Sequence, residues 1–309
     1  MVVLQQMVIF FILIGVGFVA RKACVLAPDY LPRLSALIVN VAGPCLILSG
    51  TIDTGERLAL SQVGTAFAVF GILLASMVAI AWVLPVLLRY PTDKRPIVNF
   101  AFWMTNIGYL GMPFAESVYG ATAQIYVVLF LIPSNLLLYT YAIWLMQTNR
   151  RASQGGGSTN LRGMINPGVV ATLLTVVLYF GGIELPHVVA EPIDMLGSTT
   201  APLAMMLVGA QLVDERLGNM LRDTRLLAFT VLKMVAIPVV LLLIIRLFVT
   251  DMNLLAACLT IVAMPSGVMV SAFSLLYDPD NAPAATRIVM FTTFVAVITV
   301  PLVALAAGL

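Results

Sequence analysis

Apolar residues run along this chain in blocks long enough to cross a bilayer, and the gaps between the blocks are short and polar. Crossing the hydrocarbon takes about 20 consecutive apolar residues as a helix. That length rule predicts ten spans, at 3–20, 30–50, 62–88, 96–119, 122–147, 167–183, 190–212, 226–249, 253–276 and 284–307. The one long polar, glycine-rich gap is 148–165, "TNRRASQGGGSTNLRGMI", which reads as a flexible linker. It divides the chain into a first five-helix unit, 1–147, and a second, 166–309. The run from Val2 to Ala20 has no basic region before it and no small-residue cleavage site after it, so it reads as the first span and not as a signal peptide.

Positive charge sets the orientation. Of the 16 Lys and Arg residues, twelve fall in the odd-numbered loops: Arg21, Lys22, Arg33; Arg89, Lys94, Arg95; Arg150, Arg151, Arg162; and Arg216, Arg222, Arg225. The even-numbered loops hold only Arg57 and Arg246. Basic loops stay on the cytoplasmic side. The expected topology in the cell membrane therefore has both termini outside, the 148–165 linker inside, and the acidic connection with Glu184, His187, Glu191 and Asp194 outside.

An odd number of helices per half makes the second half enter the membrane upside down, the inverted-repeat plan common in secondary transporters. Spacing supports a repeat. Pro28 and Pro44 are 16 apart, as are Pro186 and Pro202; Thr105-Asn106 follows Pro44 by 61 residues, and Pro265-Ser266 follows Pro202 by 63. These last two places are where the fourth and ninth spans break. In "MTNIGYLGMPFAESVYG" (104–120), Gly108, Gly111 and Pro113 crowd after Asn106. Glycine costs about 1 kcal/mol and proline about 3 kcal/mol relative to alanine inside a helix.

Both breaks fall near the midplane at 1.5 Å of rise per residue. Irregular backbone at that depth is tolerated only where protein or a cavity satisfies it. Two broken helices meeting there would aim half-helix N-termini at one point, which suits an anion. The candidate substrate-binding residues are thus Thr105, Asn106, Gly108, Pro265, Ser266 and Gly267, with Asn106 and Ser266 adding side-chain hydrogen bonds. Glycine and proline also serve close packing and kinks in membrane helices, which is the plainer reading of either break alone. Lys233 and Arg287 are basic residues inside spans. They either snorkel to the cytoplasmic face or attract an anionic substrate from it.

Composition narrows the classes. The chain has 309 residues, 61% hydrophobic and only 10% charged, against about 25% charged in a soluble domain. A net charge of +2, scattered, gives no reason to expect nucleic acid as a partner. Cys24, Cys45 and Cys258 are far apart and read as packing residues. With His187 as the single histidine, a His-based metal site or triad is excluded. No catalytic set, metal site or cofactor is expected. No acidic residue is confidently at midplane depth; Glu116 lies near the outer surface, so proton or sodium coupling has no obvious carrier.

Several segments, in order, resemble the auxin efflux carrier family: "LPRLSALIVNVAGPCLI" its second helix, "TNIGYLGMPFAESVYG" its fourth, "APLAMMLVGAQL" its seventh, "LKMVAIPVV" its eighth, and "AMPSGVMVSAFSLLYDPDNAPAATRIVMFTTFVAVITVP" its ninth and tenth. The resemblance covers nearly the whole chain. It implies an all-α membrane fold of ten helices in two inverted repeats with crossed, interrupted fourth and ninth helices. Helices 1, 2, 6 and 7 would form a scaffold, often a homodimer interface; helices 3–5 and 8–10 would form a mobile, elevator-type transport domain. It also implies small organic anions as substrates. Asn106 matches the asparagine of the first crossover and Pro265 the proline of the second. The chain departs from the plant pattern at Thr105, where a crossover proline is replaced and a gentler break is expected. It departs also at Ser266, in place of a larger amide, and at Arg287, which suggests a more highly charged anion. The competing readings are a sodium-coupled symporter of bile-acid type and a membrane ligand sensor that does not transport.

Overall fold

The computed structural model describes residues 2–49, 59–153, 166–183, 185–213 and 222–307. The linker residues 154–165, and Arg57, Arg162, Glu184 and Arg216, lie outside the described residues. The described chain is helical, with one isolated β-bridge. In chain order the helices are α1 (Val2–Lys22), α2 (Pro28–Ser49), α3 (Leu60–Leu87), α4 (Arg95–Trp103), α5 (Met112–Tyr119), α6 (Ala121–Thr148), α7 (Pro167–Gly181), α8 (His187–Leu212), α9 (Thr224–Arg246), α10 (Met252–Ala263), α11 (Met269–Tyr277) and α12 (Ala282–Ala307). A wide π-turn, Ile107–Gly111, leads into α5.

Among the described residues, six helical segments are long and apolar enough to cross the membrane: α2, Ser61–Leu87 within α3, α6, α8, α9 and Pro279–Ala306, which takes in most of α12. Of the four other spans expected from hydropathy, one is α1 (Val2–Lys22), and the other three fall short for a physical reason. The fourth and ninth are each cut into two half-helices too short to cross alone, and α7 has only 15 residues. The chain is nonetheless a multi-pass membrane protein. Its lipid-facing surface shows in the outward apolar side chains of α3 and α7, such as Ile72, Val83, Leu173 and Val177.

Local chemistry explains where the helices start and stop. Asp251 opens α10 by accepting hydrogen bonds from the Asn253 and Leu254 amides, and also from the Tyr126 hydroxyl at 2.8 Å. Asn166 opens α7 by accepting from the Val169 amide, while its own amide donates to the Tyr139 carbonyl. At the other end of α7, Gly182 turns left-handed (φ 63°) and stops the helix.

Helix α1 lies along the second half of α8, and the second half of α2 along its first half. The α1–α8 approach is close because Gly17 faces the Met206 backbone and Gly209 faces the Ile14 carbonyl. Small residues let membrane helices come this near. Gly209→Leu should therefore force the pair apart and destabilise the protein by about 1–3 kcal/mol or more, the scale of overpacking. The test is thermal unfolding in detergent; an unchanged melting temperature would refute the contact.

Loop pairing follows the charge pattern. Residues of the third and seventh loops, Tyr90, Lys94, Asp223 and Arg225, line one pocket and so share an end of the molecule. At a separate place, the start of α6 meets the eighth loop through Tyr126 and Asp251.

Candidate substrate site at the helix crossing

The two breaks meet. Thr105 and Ser266 form an antiparallel bridge, with the Asn106 amide donating to the Pro265 carbonyl (2.7 Å) and the Gly267 amide to the Met104 carbonyl (2.8 Å). At the second break, Pro265 has no N–H to donate and pushes Met264 out of the helical region, to φ −69° and ψ 148°. The first break has no proline, and a gentler interruption was the expectation. The structure shows a full one instead: α4 ends at Trp103, Met104 is extended, and the lost helical bonds are replaced by bonds to the facing loop. Gly267 has no side chain because the crossing leaves little room, a Cβ there lying 3.2 Å from the Thr105 carbonyl oxygen.

The crossing treats the two kinds of helix end differently. Three carbonyls in the last turns of α4 and α10 are capped by side chains across the crossing. The Thr105 hydroxyl donates to the Ile261 carbonyl (2.8 Å), and the Ser266 hydroxyl to the Ala101 carbonyl (2.7 Å), so each break caps the other's half-helix. Lys233 Nζ donates to the Phe102 carbonyl at 2.6 Å and sits 5.5 Å from the centre of the Phe102 ring. The N-terminal ends face open space. The first helical bonds there are accepted by the Asn106 carbonyl, from Leu110 and Gly111, and by the Gly267 carbonyl, from Val270. The amides of Gly108, Tyr109, Val268 and Met269 come ahead of these bonds, and all four residues line a cavity of about 270 Å³.

That cavity gathers Thr105, Asn106, Gly108 and Gly267 from the sequence-predicted set. Pro265 and Ser266 are not among its described lining residues; the Ser266 side chain is 0% exposed and spent on Ala101, and its amide donates to the Thr292 hydroxyl. Asn106 is 3% exposed, and its side-chain Nδ2 has no hydrogen-bond partner. A buried amide donor left unmatched costs about 1–3 kcal/mol. Next to a cavity, that cost marks a place where a ligand's acceptor fits.

Neither basic candidate stands in the cavity. Among its described lining residues none is Lys, Arg or His. Lys233 is on the carbonyl side of the crossing, 2% exposed, and Arg287 lines a different pocket with Lys94 and Arg225. Depth along a span left open whether these cations snorkel or attract an anion from the inner face, because depth does not say on which side of the crossing a side chain emerges. Lys233→Met should accordingly lower thermal stability, because the Phe102 carbonyl loses a charged donor, while leaving ligand affinity in the cavity unchanged. Weakened affinity at unchanged melting temperature would overturn that assignment.

Sequence reasoning missed Asn135, Tyr139, Tyr179, Thr175 and Asp194, all of which line the cavity. Asn135 did carry a signal, an amide two residues after Pro133 in an apolar span. The Tyr139 hydroxyl is already committed to the Val39 carbonyl (2.9 Å) and the Thr175 hydroxyl to the Ile47 carbonyl (3.2 Å). The remaining wall is largely apolar, with Leu46, Met104, Met112, Leu129 and Ile132. The cavity runs from the crossing toward Ser49, the last residue of α2, and the exposed Asp194.

A cavity at the crossing of two interrupted membrane helices is how carriers hold their cargo, and the chain belongs to the membrane transport protein family, whose model matches residues 2–304. This membership bears out the resemblance to the auxin efflux carriers. Over 317 aligned residues the chain is 23% identical to an uncharacterized transporter of Methanocaldococcus jannaschii, the alignment covering 95% of this chain and 96% of the relative.

Proposed function

We propose that this protein is a secondary transporter that exports or exchanges small organic anions, holding the carboxylate at the helix crossing. The observation that carries this reading is the asymmetry there: carbonyls at the C-terminal ends are capped by Thr105, Ser266 and Lys233, while the residues at the N-terminal ends line the cavity together with Asn106, whose buried Nδ2 has no partner. Donors without acceptors favour an anion. The apolar wall and the absence of basic residues among the described lining residues favour one carboxylate on an apolar body. Asp194, on the cavity's lining, would repel a second carboxylate. The dicarboxylate preference suggested by Arg287 therefore gives way to a monocarboxylate one.

In this reading α1, α2, α7 and α8 form the scaffold, through which two copies pair. The broken helices travel with their neighbours as an elevator between the two faces. Both termini lie outside the cytoplasm of a cell-membrane protein, on the strength of the basic loops. The test is flux into proteoliposomes of matched mono- and dicarboxylates under imposed proton or sodium gradients. Saturable monocarboxylate flux is expected. Specific binding with no flux under any gradient would make the protein a ligand sensor instead.

A further inference from the structure

The cavity at the crossing runs toward one end of the protein. Among its described lining residues, those of α2 come from the stretch Gly43–Ser49 at the end of that helix, and Asp194, near the start of α8, is the one from α8. Gln211 stands seventeen positions further along α8, about 25 Å away at 1.5 Å of rise per residue. At that end three side chains from three helices tie the molecule shut.

Gln211 Nε2 donates to the Ser271 hydroxyl of α11 (2.9 Å), and the Thr286 hydroxyl of α12 donates to Gln211 Oε1 (2.7 Å). Ser271 and Thr286 share a third bond of 2.8 Å. Because the Thr286 proton is spent on Gln211, Ser271 is the donor in this bond. The three groups therefore close a ring in which each gives one hydrogen bond and takes one. Ser271 and Thr286 are fully buried, Gln211 is half-buried, and none of the three lines the cavity. Next to Thr286 is Arg287, which shares a pocket with Lys94 and Arg225 of the basic loops. The ring is thus at the basic end, and the cavity runs to the other.

In the transport reading α8 belongs to the scaffold, and α11 and α12 belong to the moving part. The ring crosses the boundary along which they slide. Ser35 of α2 adds a bond beside it, its buried hydroxyl donating to the Ala272 carbonyl. Two more bonds cross the same boundary, from the Tyr139 hydroxyl to the Val39 carbonyl and from the Asn166 amide to the Tyr139 carbonyl. These three end on main-chain carbonyls, which recur at every residue, so a sliding helix can exchange one for the next. The ring has no such substitute, because three particular side chains must meet. Opening one bond leaves a buried group unmatched and weakens the other two, so the ring holds or releases as a unit.

We infer that Gln211, Ser271 and Thr286 are the latch that keeps the cavity shut toward the basic end of the protein, and that this ring must open before cargo passes there. The inference rests on the proposed transport function and adds how its site is gated.

The experiment needs no substrate. Cys24, Cys45 and Cys258 are replaced by alanine, and Gly108→Cys supplies a probe at a position that opens into the cavity. Its modification by a membrane-impermeant methanethiosulfonate is timed in right-side-out and in inside-out membrane vesicles. With the ring intact, the probe should react faster from the face of the cavity's mouth than from the basic face. Thr286→Val keeps the shape and removes the hydroxyl, and should lower the ratio of the two rates about tenfold, equivalent to about 1.4 kcal/mol. Thr286→Ser, which keeps the hydroxyl, should restore the ratio. Should Thr286→Val fail to fold, Gln211→Leu at the half-buried position is expected to give the same shift. A probe that reacts from both faces with a ratio unmoved by either variant, or not restored by Thr286→Ser, would overturn the latch and leave alternating access standing. A probe that reacts from one face alone, in the ring-intact protein and in every variant, would overturn the latch and the transport reading together.

Discussion

Gly108→Leu should fold normally and transport almost nothing. A Cβ built on Gly108 meets nothing within 4 Å, because the position opens directly into the cavity. Its backbone lies in a helical turn and is not left-handed, so a larger residue is not strained there. Leucine is the better helix former by somewhat under about 1 kcal/mol, so stability should hold or rise slightly. The cost falls on the ligand. Four added carbons project into a space of about 270 Å³, beside the amides proposed to hold the carboxylate. Flux in proteoliposomes should fall more than about tenfold, equivalent to at least about 1.4 kcal/mol of lost binding, at an unchanged melting temperature. Full flux in this variant would mean that substrate does not pass this wall.

Asn106→Ala should weaken substrate binding by about 10- to 100-fold. The expected size is that of a hydrogen bond to a charged group, about 1.5–3 kcal/mol. The fold should survive, since the structural bonds of Asn106 are main-chain ones: its amide to the Pro265 carbonyl, and its carbonyl from Leu110 and Gly111. Asn106→Asp is the sharper variant. It keeps the shape, turns a donor into an acceptor and adds a negative charge, so it should bind an anion more weakly than the alanine variant does. Ligand affinity measured on purified, correctly folded protein decides the matter. An aspartate variant that binds as well as the native protein would rule out a carboxylate at Asn106.

The places where the helices break were legible because the code there is local. Proline, clustered glycines and an amide in an apolar run show at 104–113 and 265–267 without any knowledge of the partner, and the matched spacing of 61 and 63 residues hinted that they belong together. What each side chain does at the crossing was not legible. Ser266 and Asn106 look alike in sequence, as polar residues beside a break. One is used up on the Ala101 carbonyl and the other is left with a free donor. Which way each points depends on the crossing geometry, set by residues some 160 positions away, as the |i−j| of 165 between Ser266 and Ala101 shows. Lys233 and Arg287 meet the same limit, since hydropathy gives depth and says nothing about direction. Tyr139 and Tyr179 come to the cavity from different helices, and no short-range pattern joins them.

The bridge between Thr105 and Ser266 has an evolutionary consequence. Its two bonds, Asn106 to Pro265 and Gly267 to Met104, run from main chain to main chain, and every amino acid except proline can supply the donor. Selection on these two bonds therefore acts on backbone shape, and the side chains it holds to are few: none at Gly267, and hydroxyls at Thr105 and Ser266. Mutations can accumulate around it while the two loops stay knotted together, and a lineage can retune its cargo by exchanging the wall without rebuilding the hinge point.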